Sequence, residues 1–196
     1  MDRGNPISLK NNNKPVANTL ARWQSASKNL FVWDYTVQFA NYMSPFPNLS
    51  YFEENYTTFK ANNVKGLFVQ GYADVPGDFS ELRQYLLAKL LWDASIDVKA
   101  TTADFLRGFY GKAASEIENY LKLLSENQKK SKAYLDIYSG PVQNRTTYLT
   151  PEAMNQYDKF LEKAWQAVDE DKTIQKRVEK LRLALEYTYF EQAKFY

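Results

Sequence analysis

Residues 29–72 read NLFVWDYTVQFANYMSPFPNLSYFEENYTTFKANNVKGLFVQGY, and this stretch decides the fold. It holds two short apolar runs, at residues 30–33 and 64–70, that are continuous rather than alternating, as in strands buried on both faces of a parallel sheet. Between them, apolar residues at helical spacing predict an amphipathic helix over residues 49–62. A strand, a helix and a strand in this order predict two parallel strands joined by a right-handed crossover.

The rest of the chain is predominantly helical by its apolar spacing, so the fold class is α/β with few strands. We predict a short helix before the first strand and four helices after the second: residues 16–27, 78–93, 101–124 with a break at Gly111, 151–168 and 174–188. The division we expect is a β/α segment at residues 1–95 and a helical bundle at residues 96–196. Two strands alone leave unpaired edges, so the pattern also predicts that the chain is part of a larger protein.

Composition excludes several classes of function. The chain has neither cysteine nor histidine, which excludes disulfides, thiolate nucleophiles, histidine-dependent triads and zinc sites built from these residues. Its net charge of +2 gives no field that would attract nucleic acid. The sequence predicts no metal site, no cofactor and no nucleic-acid partner. Its apolar runs fall short of the roughly 20 residues of a membrane span, and no signal peptide is visible.

Aromatic residues are abundant, with 15 tyrosines, 12 phenylalanines and 4 tryptophans. Two interpretations are open. Most of these rings fall at helical core spacing, which favours a large aromatic core. The alternative is carbohydrate binding, in which flat rings stack on the apolar faces of sugars.

Candidate binding residues follow the two predicted strands, because the carboxyl ends of parallel strands converge on one rim. Trp33, Asp34 and Tyr35 stand at the end of the first strand, and Gln70 and Tyr72 stand at the end of the second. Asp34 can hydrogen-bond sugar hydroxyls beside a ring that covers an apolar sugar face; the alternative is a carboxylate that caps the following turn. Gln70 offers a donor and an acceptor, or else it is only a polar strand end.

A hydrolytic site is not predicted. Glycosidases use two carboxyl groups about 5 to 10 Å apart, and Asp34 is the only strong candidate at the rim. Asp78 lies nearby, but its position three residues before Glu81 is typical of a helix cap. The catalytic residues therefore remain unknown, and we expect this chain alone to be inactive.

Several motifs carry a resemblance to a known family. They are VWDY at residues 32–35, SPFPNL at 44–49, VKGLFVQGY at 64–72, ELRQYLLAKLLWD at 81–93 and DFLRGFYGKAASEIENYL at 104–121. As an ordered set over residues 23–121, they resemble a bacterial, Bacteroidetes-type family of glycoside-hydrolase-like proteins. That family is classed as a domain of unknown function related to barrels of the alpha-glucuronidase and hexosaminidase type.

The resemblance implies that the two strands are the last two units of a (β/α)8-type barrel and that an appended helical bundle follows. It implies that the chain supplies one wall of a sugar-binding cleft, with an oligosaccharide or polysaccharide as partner, and that the parent protein is extracytoplasmic, periplasmic or on the cell surface. Self-association through the exposed sheet edge is a further expectation. The alternative is a helical scaffold module without a small-molecule ligand, in which the aromatic residues are core.

Overall fold

The structure is a computed structural model that describes residues 1–71 and 77–195. It is mostly helical and contains one two-stranded parallel sheet, as the sequence predicts. The α-helices and strands are α1 (Lys14–Ala26), β1 (Leu30–Tyr35), α2 (Phe52–Ala61), β2 (Val64–Gln70), α3 (Ser80–Trp92), α4 (Val98–Tyr110), α5 (Ala114–Ser131), α6 (Pro151–Gln166) and α7 (Lys172–Ala193). Short 3-10 turns at Leu49–Tyr51 and Gly111–Ala113 lead into α2 and α5.

Helix boundaries follow local chemistry in several places. Thr150 caps α6 by accepting a hydrogen bond from the Ala153 amide, and Pro151 occupies the first helical position, where the missing N–H of proline costs nothing. Asp97 caps α4 in the same way. The predicted break at Gly111 is present, with a φ of 52° that favours glycine.

The predicted cap at Asp78 is wrong. Helix α3 begins at Ser80, and its N-cap residue is Phe79, which adopts a left-handed conformation with a φ of 50°. The Asp78 carboxylate instead accepts a hydrogen bond from the Phe46 amide and pairs with Arg83. The carboxylate that the local pattern predicts as a helix cap therefore binds Phe46 and Arg83 instead.

Strand β1 is two residues longer than predicted, because its pairing with β2 continues through the last residues of both strands. Trp33 lies beside Phe68, Asp34 beside Val69 and Tyr35 beside Gln70. Successive side chains of a strand point to opposite faces. Asp34 therefore faces the opposite side of the sheet from Trp33 and Tyr35.

One face of the sheet is covered by helices and the other is open. On the covered face, Leu30, Val32 and Val64 pack against a small cluster formed by Ile7, Leu20 and Phe59. The open face carries Phe31, Trp33 and Phe68, which are 72%, 61% and 57% exposed. The expectation that both faces are buried is wrong for this chain.

The main core joins the helices to the turn before α2. It runs from Phe46 and Phe79 through Leu124 and Tyr157 to Leu185. Helices α6 and α7 are antiparallel, since Trp165 contacts Glu179 while Tyr189, ten residues later on α7, contacts Asn155. No helix within residues 1–71 and 77–195 is long and apolar enough to cross a membrane.

Candidate functional site

Three of the predicted residues lie together on the open face of the sheet. The indole Nε1 of Trp33 donates a hydrogen bond to Oε1 of Gln70 at 2.9 Å, which links the ends of β1 and β2. The rings of Trp33 and Tyr35 are stacked, with centroids 6.4 Å apart and an interplanar angle of 28°. Two rings and one amide therefore share a surface at the carboxyl end of the sheet.

Two more rings extend this surface toward the amino ends of the strands. Phe68 makes an edge-to-face contact with Trp33 at 4.8 Å between centroids. The Phe31 ring covers Gly66 on the neighbouring strand so closely that a Cβ at residue 66 would lie 2.6 Å from it. We call Phe31, Trp33, Tyr35, Phe68 and Gln70 the sheet face.

Asp34 is not part of the sheet face. It is buried on the covered side, where Oδ1 accepts a hydrogen bond from Arg3 Nη1 at 2.5 Å in an ion pair with both side chains buried. Burial, and after it the charge of Asp34, raises the pKa of the nearby Tyr56 hydroxyl. The structure gives Asp34 a charged protein partner from the N-terminal segment, and its role as a direct sugar contact stays a prediction.

Tyr72 lies outside the described residues, so its predicted contact also stays a prediction. Beyond β1, two rings that the sequence interpretation did not select continue from Tyr35. Phe39 packs edge-on against Tyr35 at 5.5 Å, and Tyr42 packs against Phe39 at 5.8 Å. Their spacing after the strand end was the available signal, because every third or fourth residue from Tyr35 is aromatic.

The segments that follow the two strands are held together by Arg83, which the sequence interpretation also missed. Its Nε donates to the Asp78 carbonyl at 2.9 Å, Nη2 donates to Asp78 Oδ2 at 3.1 Å, and Nη1 donates to the Thr36 carbonyl at 3.4 Å. Further hydrogen bonds go to the Phe46 carbonyl and Asn48 Oδ1. We call this group the Arg83 clamp.

The signal for the clamp was present in α3. Arg83 is spaced four residues from Phe79 and three from Leu86, so it falls on the apolar face of the helix. A charged residue on such a face needs buried partners. The clamp joins the segment after β1 to the start of α3, and the Asp78 amide adds a hydrogen bond to the Tyr42 carbonyl.

Burial raises the pKa of the Asp78 carboxyl, while Arg83 and the Phe46 amide act in the opposite direction. Among residues 1–71 and 77–195, no cluster of acidic residues is suited to hold a metal ion. The sheet face can stack on an apolar ring surface and supply amide hydrogen bonds from Gln70.

The chain matches a protein-family model. No curated protein matches the chain, and no solved structure matches it. Residues 1–122 match the model of a family described as a domain of unknown function, DUF4838. This match spans the sheet, α1 to α4 and the first half of α5, which is more than half of the 196 residues. The chain therefore belongs to the DUF4838 family.

Proposed function

We propose that this chain forms one wall of a sugar-binding cleft in a carbohydrate-active, glycoside-hydrolase-like protein. Under this proposal β1 and β2 are units of a (β/α)8-type barrel, and the helical region supports them. The observation that carries it is the sheet face, where Trp33 is 61% exposed and hydrogen-bonded to Gln70. An exposed ring beside an amide can cover an apolar sugar face and bond its hydroxyls.

The barrel component is supported by the arrangement of the sheet. Parallel strands are normally covered on both faces, whereas here the face opposite the helices is open and aromatic. In a barrel this face would point inward. Phe31 and Phe68 would then pack against other strands, and Tyr35 and Gln70 would stand at the carboxyl end, where barrel proteins bind their ligands.

The alternative, a helical scaffold without a ligand, treats the aromatic residues as core. That description fits Tyr120, Tyr148 and Tyr157, which are buried, and does not fit Trp33. We also propose a bacterial, extracytoplasmic location and a carbohydrate partner, on the resemblance in the motifs. Catalysis by this chain alone is not part of the proposal.

Ligand-detected NMR and calorimetry with uronic acids, hexosamines and plant or host oligosaccharides test the proposal. We expect at least one sugar to bind, and Trp33→Ala to weaken that binding on the order of fivefold through loss of a ring contact. Trp92→Ala is the matched control, because Trp92 is 93% exposed at the end of α3 and borders the amino end of β2, whereas Trp33 and Gln70 lie toward the carboxyl ends of the strands. Absence of binding across the panel, or equal losses in both variants, would refute the proposal.

The free edges of the sheet also make self-association a prediction. Light scattering over a range of protein concentrations measures it directly. A dimer that Trp33→Ala or Phe31→Ala disrupts would support pairing through this region. A monomer at all concentrations would contradict it and leave the sugar proposal intact.

A further inference from the structure

A second candidate site lies away from the sheet face. A cavity of about 320 Å³ opens between α5, the start of α4 and the turn before α2. None of its lining residues belongs to β1 or β2. Its volume falls at the lower end of the range for small-molecule sites, about 300–1,000 Å³.

The floor of the cavity is apolar. Phe46, Phe79 and Leu124 line it and are almost fully buried. Arg83 also borders it, but the five N–H groups of its guanidinium match the five hydrogen bonds that it makes to protein acceptors. The clamp therefore leaves no guanidinium donor for a ligand, and beside the Arg83–Asp78 ion pair the floor offers an apolar surface.

Phe79 gives the floor an unusual backbone. Its φ of 50° is a left-handed backbone conformation, which is uncommon for a bulky residue. Its ring stacks on the Tyr120 ring, with centroids 5.8 Å apart. Strained positions of this kind persist where the surrounding packing fixes them, and they cluster at ligand sites. The packing against Tyr120 therefore holds an aromatic ring in a strained position at the base of an open cavity.

The mouth of the cavity is charged, in contrast to its apolar floor. Three exposed lysines and two exposed glutamates line it: Lys99, Lys122 and Lys129, with Glu118 and Glu126. Within the described part of the chain, these lysines form no ion pair with an acidic side chain. Lys129 lies over the Tyr51 ring, with Nζ 5.6 Å from its centroid. Ser50, Thr102 and Ser125 also line the cavity.

We infer that this cavity binds a small amphipathic organic anion, with an apolar tail on the Phe46, Phe79 and Leu124 floor and a carboxylate at the lysine mouth. The apolar floor and the excess of lysine at the mouth together select this chemistry. The site is independent of the sheet face and of the sugar proposal.

Decanoate is the probe, with decanol and decyltrimethylammonium as ligands that share its tail but lack its charge or reverse it. Calorimetry on the full chain measures each dissociation constant, and NMR maps the perturbed residues. We expect decanoate to bind most tightly of the three and to perturb α5 and the start of α4. Equal affinity for the three ligands, or no binding of decanoate, would overturn the inference.

Variants locate the site. Ser125→Trp, at a half-buried position on the cavity wall, should raise the dissociation constant for decanoate by roughly tenfold or more, since the new ring takes the volume of the tail. Lys99→Gln and Lys122→Gln should each raise it about two- to fivefold, as for exposed charge pairs. Lys130→Gln, on α5 but outside the cavity, and Trp33→Ala should leave it unchanged.

Circular dichroism shows which variants fold. If Ser125→Trp does not fold, the two lysine variants carry the test, because both lysines are exposed. A dissociation constant that neither lysine variant changes, or that Trp33→Ala raises as much as they do, would overturn the assignment.

Discussion

The sheet and the helical region use aromatic and aliphatic side chains in opposite ways. In the helical region most large apolar residues are buried in one continuous core, although a few, such as Trp92, Leu183 and Phe190, are exposed. In the sheet, three large aromatic residues on one face are more than half exposed. The same kinds of side chain thus stabilise one region and present a surface in the other, and the free energy of unfolding should respond very differently to truncation in each.

The largest effect is expected at the Arg83 clamp, which ties the sheet to the helices. Arg83→Met should lower the free energy of unfolding by about 3 to 5 kcal/mol, because it removes the charge partner of a buried carboxylate and leaves buried carbonyls without donors. Urea denaturation measures the change. Arg107→Met is the matched control, since Arg107 pairs with Asp104 at an exposed position and should change stability by less than about 0.5 kcal/mol. Similar losses in both variants would mean that the clamp is not a buried junction.

The helical core is the next test. Leu161, on α6, is fully buried, and Leu161→Ala should cost about 2 to 5 kcal/mol through lost burial and the cavity left behind. Leu183, on α7, is 46% exposed, and the same truncation there should cost less than about 1 kcal/mol. Thermal and urea unfolding compare the two. A mild effect at Leu161 would show that the helices are loosely packed.

Alkaline pH should destabilise the core through its buried tyrosines. Burial raises the pKa of Tyr157 to about 12 from its ordinary value of 10.0, with the Asn127 hydrogen bond acting in the opposite direction. The unfolded chain therefore loses this proton first as pH rises. The contribution of Tyr157 to stability is full below pH 10 and falls between pH 10 and about 12, by on the order of 2 kcal/mol in all.

Burial is also the main cause that raises the pKa of three further tyrosines, Tyr110, Tyr120 and Tyr148. Ultraviolet titration of tyrosinate, with circular dichroism as a monitor of folding, measures the effect. We expect a group of tyrosines to ionise only as the protein unfolds. In denaturant, all tyrosines should titrate together near the ordinary tyrosine pKa of about 10. If all tyrosines of the folded protein also ionised together near this pKa, the result would contradict the burial of these tyrosines.

The smallest effect on stability is expected on the sheet face. Trp33→Ala should change the free energy of unfolding by about 1 kcal/mol or less, since the ring is mainly exposed and loses one hydrogen bond and its ring contacts. A loss of about 3 to 5 kcal/mol, as for a buried tryptophan, would instead support the scaffold hypothesis. Phe31→Ala serves as the comparison on the same face.

Much of the fold could be predicted from local pattern. The strand at residues 64–70 and the helix start at Thr150 and Pro151 match the structure, because strand composition and capping chemistry act over a few residues. Of the candidate site, Trp33, Tyr35 and Gln70 were predicted and do lie together. Arg83 was missed, since its five acceptors come from residues up to 47 positions away.

What the sequence by itself determined is the order of elements, the parallel pairing of two strands and the exclusion of chemistry that needs cysteine or histidine. Tertiary structure alone decided which face of the sheet the charged and aromatic side chains occupy and which partners they contact. Asp34 faces the helices because pairing with β2 extends β1 by two residues, and alternation then places it opposite Trp33. Arg3, from the segment before α1, became its partner. These outcomes depend on which surfaces meet in space, and a short-range pattern in sequence does not record that.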